Sequence, residues 1–107
     1  LPADEEVIAT CVCARANGLA RDLGKFTVAS QSCVFLPVNG SGRGVLYKTM
    51  TSTKRMPQLR PFGWKNADII IPIRHYEEPV LRLTGMTLVE AQSVFDALSN
   101  AIIAYKS

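Results

Sequence analysis

Residues 87–106 read TLVEAQSVFDALSNAIIAYK. Thr87 and Glu90 stand three residues apart ahead of an apolar run, the spacing at which each side chain satisfies a free backbone donor at a helix start. From there Leu88, Ala91, Phe95, Leu98, Ile102 and Tyr105 recur at steps of three and four, with Val94 and Ala101 widening the stripe. A C-terminal amphipathic helix of about 18 residues is therefore expected, and its apolar face needs a surface to pack on. Val89 and Ile103 fall on the opposite face, where water is expected. Isolated exposed apolar residues are common, yet these two also stand where a second partner would touch.

The surface for that helix has to come from upstream. Residues 7–14 (VIATCVCA) are a continuous apolar, β-branched run, read as a strand buried on both faces. Asn17-Gly18 reads as a turn, residues 19–23 as a helical turn or irregular link, and Gly24 as its end. Residues 25–29 and 32–38 form one interrupted strand or two short ones about Ser30-Gln31-Ser32. The three glycines of Asn39-Gly40-Ser41-Gly42-Arg43-Gly44 mark a hairpin. Its outgoing arm, residues 45–54, alternates as a half-exposed antiparallel strand does. Pro57, Pro61 and Gly63 predict a long loop. Residues 68–76 are again strand-like, with Pro72 demanding an edge or a bulge. A short last strand over 80–83 follows, and Gly85 separates it from the helix.

Length and composition suit one α+β domain over 1–107: the chain has 107 residues, 48% of them apolar. An apolar run long enough to span a bilayer is missing, and the acidic Asp4-Glu5-Glu6 is the reverse of a signal peptide's basic start. Three cysteines, an odd number, do not suit a framework of paired disulfides, so an intracellular reducing compartment is expected.

Net charge is +3, but it is unevenly spread. Between Leu23 and Ala67 there is no acid, while Lys25, Arg43, Lys48, Lys54, Arg55, Arg60 and Lys65 are all present. Aromatics are interleaved with these cations. Single-stranded nucleic acid is held by Lys and Arg along its phosphates and by rings on which bases stack. The candidate binding residues are therefore Arg43 in the hairpin turn, Tyr47, Lys48 and Lys54 on its outgoing arm, and Arg55, Arg60, Phe62, Trp64 and Lys65 in the loop. The competing reading puts the rings in the core and the cations on a solvated edge.

Other chemistry is weaker. His75, the one histidine, sits beside Arg74, Glu77 and Glu78 and suits acid-base work, but neither a nucleophile turn nor a paired-acid motif accompanies it. Cys11, Cys13, Cys33 and His75 lack the knuckle spacing of a zinc site and read as core thiols. The glycines at 40, 42 and 44 precede a strand rather than a helix, which excludes the phosphate-binding loops. No metal and no cofactor are expected.

The element order implies an antiparallel β-meander of four to five strands with the helix packed on one face. One helix covers only part of such a sheet, so the other face is polar or shared, and a homo-oligomer is expected. This order is similar to the meander-plus-helix unit of single-stranded nucleic-acid-binding families such as the Whirly proteins. It also resembles the coat proteins of small RNA phages, where a sheet and C-terminal helix dimerise; both are likenesses of element order, not of motif. The first implies a non-enzymatic domain binding single-stranded RNA or DNA with weak sequence preference, and the second a self-assembling or protein-interaction subunit. A small enzyme centred on His75 trails both.

Overall fold

A computed structural model of the chain describes residues 5–50, 56–73 and 79–107. The strands are β1 (Val7–Asn17), β2 (Ala20–Ala29), β3 (Ser32–Pro37), β4 (Arg43–Leu46), β5 (Gln58–Phe62), β6 (Asn66–Pro72) and β7 (Val80–Thr87). A 3-10 turn at Tyr47–Thr49 follows β4, and helix α1 (Leu88–Lys106) closes the chain. The fold is α+β, as the residues predict, but the antiparallel sheet has seven strands rather than four to five, in the order β4-β3-β2-β1-β7-β6-β5. Two meanders, β1 to β4 and β5 to β7, are joined where Ala14, Arg15 and Ala16 pair with Thr84, Leu83 and Arg82.

The extra strands come from stretches whose local signals pointed elsewhere. Gly18, at φ 63, makes a tight turn with Leu19, and Asn17 pairs with Ala20 across it, so β2 begins where a helical turn was expected. Gly24 does not end an element; it lies inside β2, where a Cβ would meet the Leu36 carbonyl oxygen at 2.4 Å. The proline-rich loop contains β5, because Pro61 sits on an edge strand that owes no ladder hydrogen bond on its outer side. β7 runs on through Gly85, which at φ 82 forms a bulge opposite Asp68 rather than a break. In the other direction, β4 stops at Leu46 instead of continuing through the hairpin arm, of which residues 51–54 lie outside the described residues. Pro72 follows expectation by a local route: β5 pairs β6 only as far as Ile70, so Pro72 has β7 on one side alone.

α1 lies across one face of the sheet. The capping box forms as the residues predict: the Thr87 hydroxyl accepts from the Glu90 N–H at 3.2 Å, and the Thr87 N–H donates to the Glu90 carboxylate at 3.2 Å. Ala91, Val94, Leu98, Ala101 and Ile102 are buried. They join one core with Phe26, Val28, Phe35, Ile69, Leu83 and Met86 from the strands. Tyr47 closes this core at the β4 end: it is fully buried, its hydroxyl donates to the Ala29 carbonyl at 2.7 Å, and its ring meets Tyr105 edge-on at 6.0 Å. Lys106 Nζ donates to the Met50 carbonyl and fastens the last helical turn to the same corner.

Candidate functional site

The nine candidate residues do not form one surface. Lys54 and Arg55 lie outside the described residues, as does His75. Tyr47, buried as above, presents no ring for stacking. Arg43 is half-buried on β4, where its guanidinium donates to the Gly42 carbonyl at 3.2 Å, and Lys48 is exposed one turn further on. Arg60, Phe62, Trp64 and Lys65 gather on the β5–β6 hairpin. Since β4 and β5 are the two edges of the sheet, six strand steps of about 4.8 Å separate the groups, roughly 29 Å along the sheet.

The hairpin group is compact and open to solvent. Gly63, at φ 66, forms the turn, and the Lys65 carbonyl accepts from the Leu88 N–H at 2.7 Å, which anchors the tip against the helix start. Trp64 is 83% exposed and Phe62 65%. The Lys65 ammonium stands 4.8 Å from the centroid of the Trp64 ring, a cation–π contact that leaves the other ring face free for a partner.

A second surface was not singled out from the sequence. Cross-strand partners share a face, so the register defines the side of the sheet away from α1. On it Leu36, Lys25 and Val12 lie side by side, then Leu23, Ala14 and Thr84, then Arg21, Ala16 and Arg82. Leu23, Leu36, Val12 and Leu46 are all exposed there. Between Thr27, Val34, Leu36 and Leu46 the surface dips into an open groove of about 340 Å³, because Gly44 contributes no side chain to fill it. That size suits one or two protruding side chains, being at the low end for a small-molecule site. The expectation that residues 7–14 are buried on both faces is corrected here: Cys11 and Cys13 face the helix, while Val12 is exposed. Its signal was nonetheless present, since apolar residues on both phases of an antiparallel strand leave one apolar face without cover.

Charge on this outer face is positive. Arg21, Lys25, Arg60 and Arg82 are exposed on it. The strands contain two acids. Asp22 is bound to Arg15 at 2.6 Å on the inner side, and Asp68 accepts two bonds from Arg82 at 3.0 and 2.8 Å. The thiols offer no nucleophile: burial pushes Cys13 and Cys33 up from 9.0 to about 12, and partial burial followed by the Glu90 charge raises Cys11. Among the described residues no group of His, Cys, Asp or Glu is arranged to hold a metal ion, and no helix is long and apolar enough to cross a membrane.

No known protein family and no curated protein matches the chain. Among solved structures, the C-terminal domain of an unknown protein from Leishmania infantum is similar, with a TM-score of 0.67 at 14% identity over 94% of this chain and 87% of that one. At that identity the likeness is one of fold, and the seven-stranded sheet with its C-terminal helix is what this chain is similar to.

Proposed function

We propose that the chain is a self-assembling or protein-interaction module that docks through the outer face of its sheet. The observation that carries this is the contiguous run of exposed Leu36, Lys25, Val12 and Leu23 across β3, β2 and β1, on the side of the sheet opposite the core. A free sheet face normally alternates to polar residues, and a large exposed apolar patch rimmed by charge is the surface of an interaction site. The edges direct docking to the face. β5 carries Arg60 and Pro61, and β4 is four residues long, so both are blunted against strand addition. Sedimentation velocity at micromolar concentration tests the reading: Leu36→Asp is expected to abolish association or partner capture while leaving the fold intact. Association unchanged by Leu36→Asp would remove the face from consideration.

The nucleic-acid reading keeps one specific support, the exposed Trp64 and Phe62 beside Arg60 and Lys65. In that reading a single strand crosses the β5–β6 hairpin alone, without Tyr47 or the β4 edge. Anisotropy of a labelled single-stranded RNA at two salt concentrations tests it. Trp64→Ala is expected to weaken binding by roughly 1 to 3 kcal/mol, and Arg60→Ala to lower the salt slope by about 0.7. An absence of binding at low salt leaves the assembly module alone.

A further inference from the structure

We infer that the occupant of the outer sheet face is the outward face of α1 from a second copy of this chain, joined head to tail. This rests on the assembly reading above and adds which surface meets which. Helical periodicity places Val89, Asp96 and Ile103 on one line, seven residues apart, pointing away from the core. All three are exposed, Val89 at 79% and Ile103 at 61%. Gln92 donates to the Asp96 carboxylate at 2.8 Å and holds it on that line, and Glu90 stands on the flank. The helix contains no cation before Lys106, which is turned inward to the Met50 carbonyl. The outward face of α1 is thus apolar and anionic.

The outer sheet face is apolar and cationic, so the two surfaces are complementary in both respects. Pairing like with like does not achieve this. A two-fold contact between sheet faces would set Arg21, Lys25 and Arg60 against a field of the same sign, the Arg82 charge being offset by Asp68, and one between helices would set Asp96 against Asp96. Like-charge juxtaposition across an interface is strongly unfavourable. Only a heterologous contact, helix of one copy on sheet of the next, brings opposite charges together while covering Val89 and Ile103 with Leu36, Val12 and Leu23. Dimensions agree: fourteen residues from Val89 to Ile103 span about 21 Å, enough to cross β3, β2, β1 and β7, three steps or about 14 Å. Each copy retains one free helix and one free sheet face, so such contacts propagate into a ring or an open filament.

Two surface variants of the whole chain test this by mixing. One carries Val89→Asp and Ile103→Asp on the helix, the other Leu23→Asp and Leu36→Asp on the sheet; all four positions are exposed, and far-UV circular dichroism checks that both fold. The wild-type chain is expected to grow in sedimenting mass with concentration without stopping at a dimer, and to shrink as salt rises from about 0.05 M to about 0.5 M. Each variant alone is expected to be a monomer. Mixed, they are expected to form a one-to-one heterodimer and nothing larger, since one intact helix face meets one intact sheet face. Asp96→Lys, which reverses the charge on that line, is expected to weaken wild-type assembly about tenfold. A helix variant that still associates like the wild type, or two monomeric variants that do not combine, overturns head-to-tail docking while the outer face stays an interface. A wild type that is monomeric at every concentration overturns self-docking and leaves the face to a different protein.

Discussion

The two faces of the sheet are built from the same strands and the same residue types, and they differ in what covers them. On the inner face Phe26, Phe35, Ile69 and Leu83 are fully buried in the core that α1 joins. On the outer face Leu36, Leu23 and Val12, on the opposite phase of β3, β2 and β1, stand in water. Burial of an aliphatic side chain contributes about 1.5 to 3 kcal/mol only when something removes it from solvent. The inner face therefore carries the stability of the monomer, and the outer face holds an equal kind of surface unspent, available to association.

The sharpest way to break that contrast is to truncate one residue on each side. Leu98→Ala, in the fully buried centre of α1, is expected to cost about 2 to 5 kcal/mol through lost contacts and a cavity. Leu36→Ala on the outer face is expected to change monomer stability by less than about 0.5 kcal/mol. Urea melts of the monomeric protein compare the two directly. Equal costs would mean that the outer face is already covered.

Crowding on the inner side gives the next effect. An added Cβ at Gly24 meets the Leu36 carbonyl at 2.4 Å, the Phe35 ring at 2.7 Å and Pro37 Cα at 2.7 Å, and two of these are backbone atoms with nowhere to go. Gly24→Ala is expected to cost about 1 to 3 kcal/mol by the same melts.

Alkaline titration separates the faces chemically. Cys13 and Cys33 face the core, and their pKa values rise from 9.0 unfolded to about 12 folded. The folded state keeps its protons over an interval in which the unfolded chain releases them, so this contribution to stability is intact below pH 9.0 and is lost progressively up to about pH 12. The loss due to the almost wholly buried Cys33 has a slope of about 1.4 kcal/mol per pH unit. Cys33→Ala is expected to flatten the stability profile across that window, whatever it does to stability at neutral pH. A profile as steep as the wild type's would show that the thiol is not shielded as its place in the core requires.

Thr87→Ala tests the joint between sheet and helix. Removing the hydroxyl that accepts from Glu90 N–H is expected to cost about 1 kcal/mol. Smallest of all, Trp64→Ala at the exposed hairpin tip is expected to leave monomer stability within about 0.5 kcal/mol of the wild type. A larger loss would mean that the ring is packed and that neither a base nor a partner protein has a free ring to engage.

The residues alone determine the helix and the turns. Thr87 and Glu90 write its start, the stripe from Leu88 to Tyr105 its inner face, and Asn17-Gly18, Ser30-Gln31 and the glycines at 40, 42 and 44 the hairpin turns, because caps and tight turns are set by interactions within a few residues. The acid-free stretch between Leu23 and Ala67 is equally plain in the sequence, as is the outward placement of Val89 and Ile103. What pairing decides is another matter. Gly24, Pro61 and Gly85 look like breaks along the chain and are tolerated in strands because of their neighbours: a close crossing, an open edge and a bulge. The same tertiary arrangement divides the cation-rich segment between opposite edges of a seven-stranded sheet and buries Tyr47. It also brings Lys25, Arg21, Arg60 and Arg82, from three different strands, onto one face. Neighbourhood in a sheet is fixed by strand order and register, which are long-range quantities, and no window of local sequence contains them.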